Sequence, residues 1–140
     1  PSDNRVISGE EKSLNEEVEI VRSMTIDSLG EEVCEDVAFM WVDVQGYEYF
    51  VLEGAKDTIT SSRKLALQIE FWPKGLRETN SLTLLCQFLK ENFAMFIDMK
   101  EYINGRKIVH DIEEVDHLSD KYEKTHTDLF LIPHHCLKDI

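Results

Sequence analysis

Basic residues are scarce in this chain, with 15 Lys and Arg against 28 Asp and Glu, for a net charge of -13. Phosphate backbones are gripped by Lys and Arg that displace counterions, so this balance argues against DNA or RNA as a partner. Cysteine is sparse too. Cys34, Cys86 and Cys136 lie far apart with no C-x-x-C pair, which fits reduced thiols packed as small hydrophobes in a cytoplasmic protein better than a disulfide frame or zinc knuckle. No apolar run approaches the roughly 20 residues that cross a bilayer. His110, His117, His126 and the pair His134-His135 lack metal-ligand spacing and read as surface side chains. The chain opens Pro-Ser-Asp-Asn, without an initiator Met or a charged-then-apolar leader, which predicts a trimmed or partial chain. Its 140 residues suit one domain.

What is present is a repeating order of elements. Residues 1–17 are polar and acidic and read as a loop. "VEIVRSMTI", Val18 to Ile26, is β-branched and roughly alternating and predicts a short strand; Asp27 or Ser28 is placed to cap the turn that follows. "VAFMWVDV", Val37 to Val44, is nearly all apolar, the pattern of a strand covered on both faces of a parallel sheet. Tyr47, Val51, Ala55 and Ile59 then recur every four residues, predicting a helix bent at Gly54. The unit repeats: "KLALQIEFW" (Lys64 to Trp72) is strand-like, Pro73 and Gly75 break it, and Leu82, Leu85, Leu89 and Phe93 form a helical stripe capped by Asn80 or Ser81. "AMFIDM" is a third strand, Asn104-Gly105 signals a hairpin, "DIEEVDHLSDKYEK" is a polar helix or loop, and "TDLFLIP" is a last strand. Alternating strands and helices predict an α/β sheet with helices on its faces and one antiparallel strand near the end.

Ligands of open parallel sheets bind outside the carboxyl ends of the strands. Asp43 and Glu70 each end an apolar strand, and adjacent strands about 4.8 Å apart bring two such carboxylates to one ligand. They are suited to accept a proton, bind a cationic group or hold a divalent ion. Gly46 lets the turn tighten and a ligand approach the backbone. Each residue also has a plainer reading. Asp43 caps the next helix, Glu70 pairs with a base at a strand end, Glu48 is a solvated first-turn residue favoured by the helix dipole, and Trp72 joins Tyr47, Tyr49 and Phe50 in the core.

"TIDSL" (Thr25 to Leu29), "VDVQGYEYFVLEGA" (Val42 to Ala55), "LQIEF" and "TDLFLIP" together resemble the C-terminal half of the FkbM-type S-adenosylmethionine-dependent methyltransferases. In that family T-L-D-S/D-L precedes a strand ending I-D-V/I-E/Q-G-x-E, followed by a V-L-x-G-A helix. The resemblance implies a Rossmann-like class I methyltransferase fold with a mostly parallel sheet. "VAFMWVDV" would be its fourth strand, "LALQIEF" its fifth, and "AMFIDM" and "DLFLIP" its last two, the final one antiparallel. It implies residues 1–22 as a polar lead-in with a short strand and 23–140 as the C-terminal part of the domain. The glycine-rich turn that cradles the cofactor is not matched, since Gly9 stands alone in a polar run, so the cofactor-binding half is expected to be absent. The implied activity is O-methylation of a small molecule or glycan with S-adenosylmethionine as cofactor. Asp43 and Glu70 would be catalytic; Asp43, Val44, Gln45 and Gly46 would bind the cofactor; Glu48 and Trp72 would bind the acceptor; no residue is assigned as a metal ligand.

Two rivals follow from the residues. Asp43-x-x-Gly46 resembles the magnesium-side loop of GTPases, but G-x-x-x-x-G-K-[ST] is missing from the sequence. The other is a non-catalytic half-domain or inactive relative, used for binding or assembly, whose open strand edge would pair chains into a homo-oligomer.

Overall fold

The computed structural model describes residues 22–34, 37–62 and 65–134. A 3-10 turn, Asp27–Leu29, and the short α1, Glu31–Cys34, lead into β1, Phe39–Val42. There follow α2 (Glu48–Glu53), α3 (Lys56–Ser61), β2 (Ala66–Phe71), α4 (Pro73–Glu78), α5 (Leu82–Asn92), β3 (Phe93–Asp98) and α6 (Met99–Ile103). The chain continues with β4 (His110–Asp111), a 3-10 helix at Ile112–His117, α7 (Leu118–Lys121) and β5 (Thr127–Pro133).

The five strands form one sheet in the order β1-β2-β5-β3-β4. β1 and β2 pair in parallel, and β5 enters antiparallel between β2 and β3. The antiparallel last strand is as expected. The sheet is mixed rather than mostly parallel, because β4 also pairs antiparallel with β3. The strands β1, β2 and β3 nevertheless point the same way, so their carboxyl ends share one rim with the start of β5. This arrangement is compatible with a methyltransferase-like fold.

Register shows which face is covered. Val42, Ile69 and Leu129 align across β1, β2 and β5 and are buried, joining Leu52, Ala55, Ile59, Leu76, Leu85, Leu89 and Val115 from the helical segments in one core. The alternate row, Trp41, Gln68, Phe130 and Ile97, belongs to the other face, and none of these is buried. The expectation of two covered faces therefore fails at β1, where Phe39 is 54% and Trp41 63% exposed. An apolar run reports that a strand is meant for burial, and the described residues supply helices to one side only.

Other local expectations are revised as well. No strand forms over residues 22–26, and residues 18–21 of the expected strand lie outside the described residues. The helix expected to bend at Gly54 breaks there into α2 and α3. β2 ends at Phe71, ahead of Pro73 and Gly75 as expected, but these two sit in α4, with Pro73 at its first position, where its missing N–H costs nothing. Asn104-Gly105 closes a helix instead of a hairpin. Gly105 takes φ +88° while Arg106 N–H donates to Glu101 O and Gly105 N–H to Tyr102 O, both at 3.0 Å, the pattern of a Schellman C-cap. The polar stretch after it is helical because Ile112, Val115, Leu118 and Tyr122 are buried at helical spacing.

Candidate functional site

Asp43 follows β1 at its carboxyl end and is exposed. Glu70, one residue from the end of the adjacent β2, is 7% exposed. Gln45 joins them: its Nε2 donates to Asp43 Oδ1 at 3.1 Å and to Glu70 Oε2 at 3.4 Å. Asp128 is the cross-strand partner of Glu70 and accepts from Gln68 Nε2 at 3.2 Å. His126 Nδ1 stands 4.0 Å from Glu70 Oε1. Among the described residues no Lys or Arg forms an ion pair with Asp43, Glu48, Glu70 or Asp128. Burial, followed by the negative charges of Asp43, Glu48 and Asp128, pushes the Glu70 carboxyl up to about 7. Such a group can both hold and release a proton near neutral pH. The plainer expectation, a Glu70 paired with Lys or Arg, is not met.

The loop carrying Asp43 and Gln45 has an uncommon backbone. Gln45 has φ +56° and Gly46 φ +95°, and left-handed geometry is costly for a residue with a Cβ. Gly46 serves packing before it serves any ligand, because a Cβ there would lie 2.7 Å from the Gly75 backbone. Gly75 in turn has Trp72 against it, so that a Cβ at Gly75 would meet the ring at 2.2 Å. Trp72 is thus half-buried at the rim, with part of its ring used to close the loop. Gly46 O accepts from Thr79 Oγ1 at 2.8 Å and Ser81 Oγ at 3.2 Å.

Glu48 departs most from expectation. It is no solvated first-turn residue but 0% exposed. Its Oε1 accepts from Val44 N–H at 3.2 Å and Gly46 N–H at 3.1 Å. The Val44 and Gly46 amides are therefore already bonded, which leaves the side chains of Asp43 and Gln45 as the loop's exposed polar groups. The same bond argues against the GTPase reading, in which the Gly46 amide must reach a phosphate. Burial pushes the Glu48 carboxyl up, backbone hydrogen bonds oppose this, and the charge of Asp43 adds to it.

Sequence reasoning missed Asp98, the carboxylate that ends β3. It is 1% exposed and fully bonded: Oδ1 accepts from Thr127 Oγ1 at 2.7 Å and Lys100 N–H at 3.1 Å, and Oδ2 from Lys121 Nζ at 2.7 Å and Tyr122 O–H at 2.6 Å. Burial works to raise its pKa, but the bonds from Lys121, Tyr122 and Thr127 outweigh that and hold it below the usual carboxylate range. Its acceptors are spent on the fold. A strand-end Asp is the signal that marked Asp43, and only the partners separate the two.

Two further readings change or stand on local grounds. His110 is not a free surface histidine, since it stacks on Phe96 at 5.0 Å and its ring nitrogens reach Glu101 at 2.9 Å and Glu114 at 3.3 Å. Cys34 and Cys86 are buried and unpaired, and burial pushes the Cys86 thiol up to about 11, in keeping with inert packing; Cys136 lies outside the described residues. Among the described residues no group of three or more His, Cys, Asp or Glu side chains is arranged to hold a metal ion. No helix among them is long and apolar enough to cross a membrane.

Comparison with known proteins gives one match: the family described as Methyltransferase FkbM domain, over residues 2–102. No curated protein and no solved structure matches. The match runs through the 3-10 turn at Asp27, the strand that Asp43 follows, the loop at Gly46 and the strand bearing Glu70, and with it the chain belongs to the FkbM methyltransferase domain family.

Proposed function

We propose that this chain is the acceptor-side part of an S-adenosylmethionine-dependent O-methyltransferase that acts on a hydroxyl of a small molecule or glycan in the cytoplasm. The reading rests above all on Asp43 and Glu70 meeting through one Gln45 amide at the carboxyl ends of adjacent parallel strands. It assigns residues 23–140 to this part of the domain, with Asp43 and Gln45 as its share of the cofactor contacts.

The donor set suits such a cofactor, because carboxylates that pair with no Lys or Arg among the described residues favour a positively charged sulfonium beside them. When bound, the cofactor supplies an electrophilic methyl group. Asp43 and Gln45, exposed at the loop, would hold and orient it, with Val44 and Gly46 giving the loop its shape. Glu70, poised near neutral pH, takes the proton of the acceptor hydroxyl, and Asp43 orients that hydroxyl in line with the methyl group. Trp72 offers the free part of its ring to the acceptor. Glu48, having no exposed surface, acts behind the loop and not on the acceptor.

Calorimetric titration tests the reading against its rivals. Binding of S-adenosylmethionine and S-adenosylhomocysteine, with no response to GTP, is the expected result; GTP binding alone would overturn it. Silence toward all three would favour a binding or assembly role.

A further inference from the structure

We propose that Glu48 is the positioning residue of this site, a buried latch that fixes the loop from Val44 to Gly46 and thereby sets where Asp43 and Gln45 stand. The inference rests on the methyl-transfer reading for its link to activity, but the latch itself stands on geometry.

One carboxylate oxygen of Glu48 gathers the amides on both sides of Gln45, at 3.2 and 3.1 Å. Those two amides flank the residue with the strained φ of +56°. The other oxygen, Oε2, is buried and has no hydrogen-bond partner. A buried acceptor left unpaired is destabilising, so Glu48 is a poor choice for stability alone. What it delivers is a conformation. With the amides held from below and Gly46 O held by Thr79 and Ser81 from the side, the loop is fixed on two flanks, and Gln45 is turned so that its amide bridges Asp43 and Glu70. Misplacing reacting groups by about 1 Å can cost a hundredfold in rate, which is the scale of effect such a latch controls.

Glu48→Gln keeps the accepting oxygen and exchanges an unpaired acceptor for an unpaired donor, whereas Glu48→Ala removes the latch. Amide hydrogen exchange and methyl-transfer kinetics on both variants form the test. In Glu48→Ala the Val44 and Gly46 amides should exchange at least tenfold faster and kcat should fall at least tenfold, while Glu48→Gln keeps both within about threefold of the parent. Unchanged exchange in Glu48→Ala would overturn the latch, and faster exchange with unchanged kcat would overturn its positioning role. Should Glu48→Ala fail to fold, loss of the paired protection or of kcat in folded Glu48→Gln would overturn the proposal. A parent protein that transfers no methyl group defeats the functional reading instead, with the exchange data still deciding the latch.

Discussion

Two carboxylates at one rim, with no Lys or Arg paired to them among the described residues, make the site's behaviour a matter of where protons sit. For Glu70 the sign follows from linkage. Its carboxyl is raised in the folded state from an ordinary 4.5 to about 7, so between those values the folded chain holds a proton that the unfolded chain has released. Stability contributed by the bound proton is present at low pH and is lost as pH rises through about 7. Glu70→Gln should therefore stabilise the protein by about 2–3 kcal/mol at pH 8, with the difference vanishing near pH 4, as read by urea denaturation. Turnover of the parent should climb as pH passes through about 7, and Glu70→Gln should lose that limb. Asp43 is exposed, so Asp43→Ala should remove at least 100-fold of methyl transfer while leaving the melting temperature within a few degrees. Unchanged turnover would end its assigned role. Asp43 and Glu70 were legible in sequence because a charge ending an apolar strand needs an explanation. The role of Glu48 was not, because the amides it binds converge only after Gln45 and Gly46 adopt positive φ, which a one-dimensional pattern does not carry.

Among the elements, the structure shows why two motif segments separated in sequence belong together. The helix run breaks at Gly54, leaving the amino end of α3 with Ala55 at its N-cap position and no side-chain cap from it. Asp27, from "TIDSL", supplies the cap: its carboxylate accepts from Asp57 N–H at 3.0 Å, Thr58 N–H at 2.9 Å and Thr58 Oγ1 at 2.7 Å. Its own N–H donates to Gly54 O at 3.0 Å, and a Cβ on Gly54 would come within 3.2 Å of Thr25. Sequence reading placed Asp27 as a cap but on its own turn, because capping rules see neighbours and not a helix start thirty residues away. Desolvation works to raise the Asp27 pKa, but these bonds outweigh it and leave the pKa lowered. The stabilisation it gives is thus present above the ordinary carboxylate pKa and fades on acidification below it. Asp27→Ala should cost about 1–2 kcal/mol in chemical denaturation at pH 7, and Asp27→Asn less. Asp98 at the end of β3 ties that strand to α6, α7 and β5, so its removal leaves the buried Tyr122 hydroxyl without this acceptor and Lys121 with Glu101 as its remaining carboxylate. Asp98→Ala should cost about 3 kcal/mol or more, the largest loss among these carboxylates, on the same assay.

For the molecule as a whole, the described residues form a sheet covered by helices on one face, with β1 at its edge. β1 has β2 as its one strand neighbour among the described residues, and it carries Phe39 at 54% and Trp41 at 63% exposure. An edge strand this apolar, lacking the charges and prolines that usually blunt such edges, invites pairing with another chain. In a solution of this chain alone, a second β1 run antiparallel across a two-fold axis would match like surface with like and close without further growth, so self-pairing is the expected outcome. Repulsion works against it, because each copy carries a net charge of -13, so the association should strengthen as salt screens the charge. Sedimentation velocity on the chain at rising concentration should show a dimer that is favoured at higher ionic strength and quenches or shifts Trp41 fluorescence. Trp41→Lys puts a charge on the same edge and should weaken that association at least tenfold while leaving the core, which Trp41 does not join, at its parent stability. A chain that stays monomeric at every salt concentration would show that the apolar edge of β1 does not pair with itself.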